Sequence, residues 1–256
     1  MRTKLLWLGL AAAILAVPIA AGAANDTANP RQPVLVELFT SEGCSSCPPA
    51  DALIEKLDHD QPIAGAQIIV LSEHVDYWDH DGWMDPFDSA ALTARQTDYA
   101  QRFALGDPYT PQMVVDGNAE CNGSDAKKAG ALIRQAIGGP RVGVRIRVEG
   151  SGNTAVTIEV DALPEGTAHK ANVYLARAAE RGSSDILRGE NKGRTLRYVS
   201  IVRDIKKVGS IAGHETFQKQ ISLRAGDAPG ESRLISFVQE AGGGRVWGAA
   251  MYAVPK

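Results

Sequence analysis

Two cysteines spaced three apart, Cys44 and Cys47, stand between an apolar run, Val34 to Phe39, and a stretch of helical spacing that opens on Pro48-Pro49. The run has the length and composition of a β-strand. Prolines are tolerated in a helix's first turn because the N–H groups they lack would be unpaired there anyway. The segment is therefore committed to strand, tight turn and helix in immediate succession. That placement has a chemical consequence. Unpaired N–H groups and the positive end of the helix dipole favour an anion on the first sulfur. Free cysteine titrates near about 8.5, and this geometry lowers the value to roughly 3.5 to 7.5. Cys44 is thus expected to be exposed and largely ionised near neutral pH, with Cys47 more shielded. The pair reads as a redox-active dithiol, Cys44 attacking and Cys47 resolving the mixed disulfide. Metal sites and structural disulfides share the spacing, and both readings stay open.

Upstream, Met1-Arg2-Thr3-Lys4 is basic, Leu5 to Ile19 is apolar, and Ala20-Ala21-Gly22-Ala23-Ala24 offers small residues for cleavage. These are the three parts of a secretory signal peptide. The apolar stretch is shorter than the roughly 20 residues that a membrane span needs. Residues 1–24 are expected to be removed and 25–33 to form a flexible leader. The mature protein is then periplasmic or secreted, in an oxidising space where disulfides persist. The full chain carries a formal charge of −3, and loss of Arg2 and Lys4 makes it more acidic. No basic stripe is left for nucleic acid or an anionic membrane, so neither partner is expected. The remaining chain, about 230 residues, can bury a core without disulfide stapling.

From Val34 to Gly138 strands and helices alternate. After the strand at 34–39 and the helix from Pro48 to Leu57, Ile68-Ile69-Val70-Leu71-Ser72 reads as a strand covered on both faces. A helix follows at 89–105. Thr110 to Val115 reads as a Pro-led strand ending in an Asp116-Gly117 hairpin turn, and a helix capped by Ser124 or Asp125 runs from Ala126 to Ile137. After Pro140 the period changes to two: Val142, Val144, Ile146 and Val148 alternate with polar residues, as do Val156, Ile158 and Val160. Further strands are expected at 171–178, 197–206, 216–223, 233–240 and 245–253.

Strand, CxxC, helix, strand, helix, then Thr-Pro before a hairpin and a closing helix is similar to the thioredoxin fold. Longer strings narrow this: Phe39 to Asp51, His74 to Asp79, Tyr109-Thr110-Pro111-Gln112, and Arg188 to Arg194. They resemble a family of exported thioredoxin-like proteins catalogued as a domain of unknown function, and the resemblance covers nearly the whole mature chain. It implies a thioredoxin-like α/β domain at 34–139 followed by an all-β, sandwich-like domain at 140–256. It also implies that Pro111 is cis and packs against the dithiol, that Cys44 attacks and Cys47 resolves, and that Thr110 and Pro111 contact substrate. The chain departs from ordinary thioredoxins in carrying Glu42-Gly43 before the first cysteine and Ser45-Ser46 between the two, so neither potential nor partner can be transferred.

The segment His74 to Asp88 begins where a strand ends and is dense in acidic and aromatic residues. Strand carboxyl ends line ligand crevices in open α/β sheets, so Tyr77 and Trp78 are expected to overhang the dithiol. The expected activity is thiol–disulfide exchange with protein or small-molecule thiols, without a cofactor. A second reading is copper or zinc binding by Cys44, Cys47 and His74 or His80, a set suited to those metals by ligand softness. A third is a binding module with a structural disulfide. Glu42 and Glu37 lie near in sequence and could oppose ionisation or relay a proton. Cys121 reads as a half-buried small hydrophobe, with a third redox thiol or a metal ligand as alternatives. The polar loop from Arg181 to Arg194 is either plain surface or docks near the dithiol through Arg188, Glu190, Asn191 or Arg194.

Overall fold

The computed structural model describes residues 31–150, 154–166, 170–223 and 232–253, with the backbone alone at His80 and Asp81. The expected signal peptide and most of the leader lie outside the described residues. β1 (Gln32–Thr40) is the strand around which the rest is arranged. Its side chains alternate between two faces, Val34, Val36 and Leu38 on one and Leu35, Glu37 and Phe39 on the other, and all six are fully buried. The first face is covered by α1 (Pro48–Asp60) and α3 (Ala126–Ala136) through Ala50, Ile54, Leu57, Ala129, Leu132 and Ile133. On the second face α2 (Ala90–Arg102) contributes Leu92 and Tyr99. Polar caps define these helices: Ser89 accepts the Ala91 N–H at 3.2 Å, and Asp125 accepts the Lys128 N–H at 2.9 Å.

β2 (Ala66–His74) runs parallel to β1, with Gln32 opposite Ala66 and Thr40 opposite His74. β3 (Gln112–Val115) pairs antiparallel on the other side of β1 and continues into β4 (Ala119–Asn122) through Asp116 and Gly117. Both turn residues have positive φ, 48° and 59°, the backbone an Asp-Gly hairpin adopts. A Cβ on Gly117 would lie 2.5 Å from the Gly244 carbonyl oxygen, so glycine is also required for space.

The chain does not form a compact thioredoxin-like α/β domain followed by an all-β sandwich-like one. Beyond β5 (Val144–Glu149) and β6 (Thr154–Val160), two long strands, β7 (Lys170–Asp185) and β8 (Thr195–Ala212), are followed by β9 (Phe217–Leu223), β10 (Ser232–Glu240) and β11 (Val246–Ala253). β8 takes the free edge of β2, pairing in parallel at Ser72 and Ile201, and the Ser72 hydroxyl donates to the Val199 carbonyl at 2.7 Å. One mixed eight-stranded sheet results, in the order β11-β10-β7-β8-β2-β1-β3-β4, beside a three-stranded sheet, β5-β6-β9. Val156, Ile158 and Val160 of the smaller sheet pack against Val173, Leu175, Leu234, Val238 and Trp247 of the larger. The physical reason for the correction lies in β7 and β8. The segment from Glu180 to Asp185 is too polar to read as strand, yet it pairs with Thr195 to Val199 and extends the hairpin across what reads as a loop.

Glu37 and Glu73, both fully buried, end on the α2 face. Arg95 Nε donates to Glu37 Oε1 at 2.7 Å, the Tyr99 hydroxyl donates to Glu37 Oε2 at 2.7 Å, and the guanidinium lies 3.7 Å from Glu73. Burial, and then the neighbouring Glu37, raise the Glu73 carboxyl well above its ordinary range, against the charge of Arg95. Arg95→Met removes the compensating charge while keeping much of the packing. The expected loss is about 3–5 kcal/mol in urea denaturation at pH 7. A loss below about 1 kcal/mol, the range of exposed ion pairs, would show that the two carboxyls need no cation.

Candidate functional site

Cys44 and Cys47 form a disulfide at the carboxyl end of β1, with Cα atoms 5.5 Å apart. Cys47 caps α1: its carbonyl accepts the N–H groups of Ala50 and Asp51 at 2.8 and 3.1 Å, and its own N–H donates to the Cys44 carbonyl at 3.2 Å. Cys44 Sγ lies 3.3 Å from the Ser46 hydroxyl. Both cysteines have 0 % exposure, whereas Ser45 and Ser46 face solvent. The expectation of an exposed Cys44 is corrected by this. A turn at a helix end is exposed when considered alone, but here the β7–β8 hairpin brings its tip to it. Asn191, itself fully buried, donates from Nδ2 to the carbonyls of Glu42 and Cys44 at 2.9 and 3.0 Å. The Ser45 N–H donates to Glu190 Oε2 at 3.1 Å, and Arg194 donates to Asn191 Oδ1 at 3.0 Å.

Trp78 joins this turn to the Thr110–Pro111 segment. A Cβ built on Gly43 would lie 2.8 Å from Trp78 Cβ, and the indole N–H donates to the Thr110 hydroxyl at 2.8 Å. The Thr110–Pro111 peptide bond is cis. Pro111 and Ala50 of α1 both flank Gly123, where a Cβ would lie 3.1 Å from each. The Tyr77 hydroxyl donates to Gln96 Oε1 at 3.1 Å and also meets the Thr110 side chain. Trp78, Thr110 and Pro111 are thus gathered around the disulfide turn.

Beneath it lies a cluster of buried ionisable groups on five segments. His74 Nδ1 is 2.7 Å from Asp85 Oδ2, which also accepts the Glu42 N–H at 2.9 Å. The Trp83 indole donates to Glu42 Oε2 at 2.7 Å, and the Thr40 hydroxyl donates to Asp51 Oδ1 at 2.8 Å. Burial alone would lower His74, but the hydrogen bond and charge of Asp85, then Asp51 and Glu42, outweigh it and raise the imidazole above its usual value. Burial raises Glu42, against hydrogen bonds from Ser184 and Trp83. Burial also pushes Asp51 up to about 7, opposed by the charge of His74 and the Thr40 hydrogen bond. Asp51 Oδ2, His74 Nε2 and the Tyr198 hydroxyl are buried without hydrogen-bond partners. The imidazole and the Tyr198 ring meet edge to face, centroids 4.6 Å apart. Asp51 was not singled out from the sequence, although its position four residues after Cys47 places it on the same helix face. A cleft of about 210 Å³, lined by Pro48, Asp51, Ala52, Glu55, Thr195, Leu196 and Arg197, opens beside it.

Cys121 is a free, buried thiol in the core beneath α1 and α3, and burial, with Glu120 and Asp125 nearby, pushes it up to about 11. Among the described residues, no group of three or more His, Cys, Asp or Glu side chains is arranged to hold a metal ion. The side chain of His80 lies outside the described residues. A cleft of about 720 Å³ lies off α2 between Arg95, Arg102, Tyr174 and Gln239, and none of the residues lining it belongs to the disulfide site.

Fold and site together define an α/β protein on a mixed eight-stranded sheet, with a buried CxxC disulfide between a helix N-terminus and a cis-proline loop. The chain belongs to the family described as protein of unknown function DUF1223, whose model matches residues 35–239. It is similar to the crystal structure of protein AGR_C_4864 from Agrobacterium tumefaciens, with 27 % identity over 86 % of this chain and 93 % of that one and a TM-score of 0.67. It also shares its fold with HBP35 of Porphyromonas gingivalis, at 14 % identity over 88 % of this chain and 76 % of that one and a TM-score of 0.54. No curated protein matches the chain.

The raised Asp51 carboxyl sets a pH dependence. Between its ordinary 3.8 and about 7 the folded state holds a proton that the unfolded state has lost, so stability falls as pH rises through this window. Three pKa units correspond to a loss on the order of 4 kcal/mol. His74, raised too, contributes stability below its ordinary value that is lost as pH rises through the folded value, in the same direction. Asp51→Asn keeps the shape without the titration. Chemical denaturation from pH 4 to pH 8 is expected to show a shallower decline in this variant and higher stability than wild type at pH 8. Parallel profiles for the two proteins would refute the assignment.

Proposed function

We propose that the protein is an exported thiol–disulfide oxidoreductase in which Cys44 exchanges with an external thiol and Cys47 resolves, a site that resembles those of thioredoxin-like proteins. The observation that carries this reading is the company the disulfide keeps. It lies at the N-terminus of α1, near the cis Thr110–Pro111 segment, with a carboxyl of pKa about 7 one helical turn beyond Cys47. A structural staple needs none of this. Closing a loop of four residues restricts the unfolded chain by only about 2 kcal/mol, against nearly 5 for a loop of a hundred.

An incoming thiolate attacks Cys44 Sγ, the bond to Cys47 breaks, and its electron pair leaves on Cys47 Sγ. Asp51, protonated near neutrality, gives its proton to that sulfur. A second substrate thiol, ionised to thiolate, then attacks the mixed disulfide and releases Cys44 as a thiolate facing the α1 dipole. The substrate has lost two electrons to form its own disulfide, and the protein holds a thiol and a thiolate. With a reducing couple below the substrate's, the same steps run backwards.

Equilibration with a glutathione redox series, read by alkylation and mass, tests this. Wild type and Cys121→Ser are expected to exchange in the folded state with the same potential, whereas Cys44→Ser and Cys47→Ser lose the internal disulfide and Cys47→Ser accumulates the mixed disulfide of Cys44 with glutathione. Reduction that occurs only after unfolding would remove the proposal. The exchange rate of wild type is expected to bend near pH 7, and Asp51→Asn to lose that bend in stopped-flow measurements.

A further inference from the structure

The Ile186–Arg194 segment is more than a connection between β7 and β8. It closes on itself, the Ile186 N–H donating to the Arg194 carbonyl at 2.9 Å and the Gly193 N–H to the Ile186 carbonyl at 2.8 Å. Gly189 and Gly193 hold positive φ of 75° and 83°, and a Cβ on Gly193 would meet nothing within 4 Å. Leu187 is 67 % exposed, and Arg188, Glu190, Lys192 and Arg194 also face solvent. Ile186 anchors the base of the tip among Trp83, Phe87, Leu196 and Tyr198. Asn191 alone turns from the far end into the protein, onto the carbonyls of Glu42 and Cys44, while Glu190 accepts from Ser45. Contact with the cysteine turn therefore includes three hydrogen bonds to its main chain, and a further one between the Ser45 hydroxyl and the Glu190 carboxylate.

On the reading of Cys44–Cys47 as an exchanging bond, we propose that this tip is a latch, with Asn191 and Glu190 as the residues that set when the disulfide can be reached. A thiolate must approach Cys44 Sγ along the line of the S–S bond, and both sulfurs are fully enclosed while the latch is down. Lifting the tip about its base costs those few hydrogen bonds and exposes the buried Asn191 side chain, a smaller disruption than separating β7 from β8. Local openings of this kind draw on the least stable parts of a fold. The glycines at 189 and 193 give the tip freedom to move without disturbing the strands.

The test is the second-order rate of disulfide reduction by dithiothreitol, which supplies two electrons and leaves as its cyclic disulfide. Asn191→Ala removes two of these bonds and is expected to raise the rate about thirtyfold, the factor that two hydrogen bonds of ordinary net strength carry. Glu190→Gln, at an exposed position that does not threaten folding, is expected to raise it by a smaller factor and to speed hydrogen exchange of the Ser45 amide. Circular dichroism establishes that each variant is folded. Unchanged rates in Glu190→Gln and in a folded Asn191→Ala would overturn the latch while leaving exchange at Cys44 intact. Should dithiothreitol reduce none of the three folded proteins, the exchange reading itself fails, and the latch with it.

Discussion

The pairing of β8 with β2 is the contact on which the architecture turns. It is short, one parallel register at Ser72 and Ile201 reinforced by the Ser72 hydroxyl on the Val199 carbonyl. Yet it fuses strands from both halves of the chain into one sheet and so joins β7, β10 and β11 to the strands around β1. β8 delivers Tyr198 to the imidazole of His74, and the hairpin it forms with β7 reaches the cysteine turn. Ion pairs from the later strands hold the helix that carries Cys47: Arg181 donates to Glu55 at 3.1 Å, and Arg233 grips both oxygens of Asp58 at 2.7 and 2.9 Å. The second of these is nearly enclosed, the geometry in which a bidentate guanidinium contributes most.

Burial alone does not decide which carboxyls keep a proton. Asp51 and Asp85 are both buried, and burial raises each. Asp85 ends below its ordinary value because His74 and the N–H groups of Glu42 and Phe87 all favour its anion. Asp51 has one hydroxyl and a more distant imidazole, and ends far above. On the opposite face Arg95 and Tyr99 give their hydrogen bonds to Glu37, while burial and then that neighbour raise Glu73. Two residues of one type thus assume different chemical states within a small volume, as directed hydrogen bonds dictate.

Local signals in the sequence were read well where one element satisfies them by itself. Period and capping place α1, α2 and α3, the unbroken apolar run places β2, and Asp116-Gly117 marks its hairpin. Pro111 beside Thr110, and Glu190 and Asn191 near the cysteines, were also identifiable from their strings. The reading of a thioredoxin-like α/β fold followed by an all-β sandwich failed because nothing local records which strand fills the open edge of β2. The polar run from Glu180 to Asp185 hid the length of β7, since its strand state comes from pairing with β8 and not from its own pattern. From the same gap followed the error over Cys44, whose enclosure depends on a hairpin that could not be seen. Asp51 escaped notice because an aspartate in a helix's first turn is commonplace, and only its burial makes it unusual.

The close approach of Trp78 to Gly43 carries a lesson for anyone wishing to redesign the chain. With its backbone carbonyl 3.0 Å and its Cβ 2.8 Å from where a methyl group would begin, the indole-bearing segment forbids any larger residue just ahead of the first sulfur. Retuning by swapping that position, open in a more spacious turn, is closed off in this one. Ser45 and Ser46, both at the surface, are left as the adjustable letters of the motif.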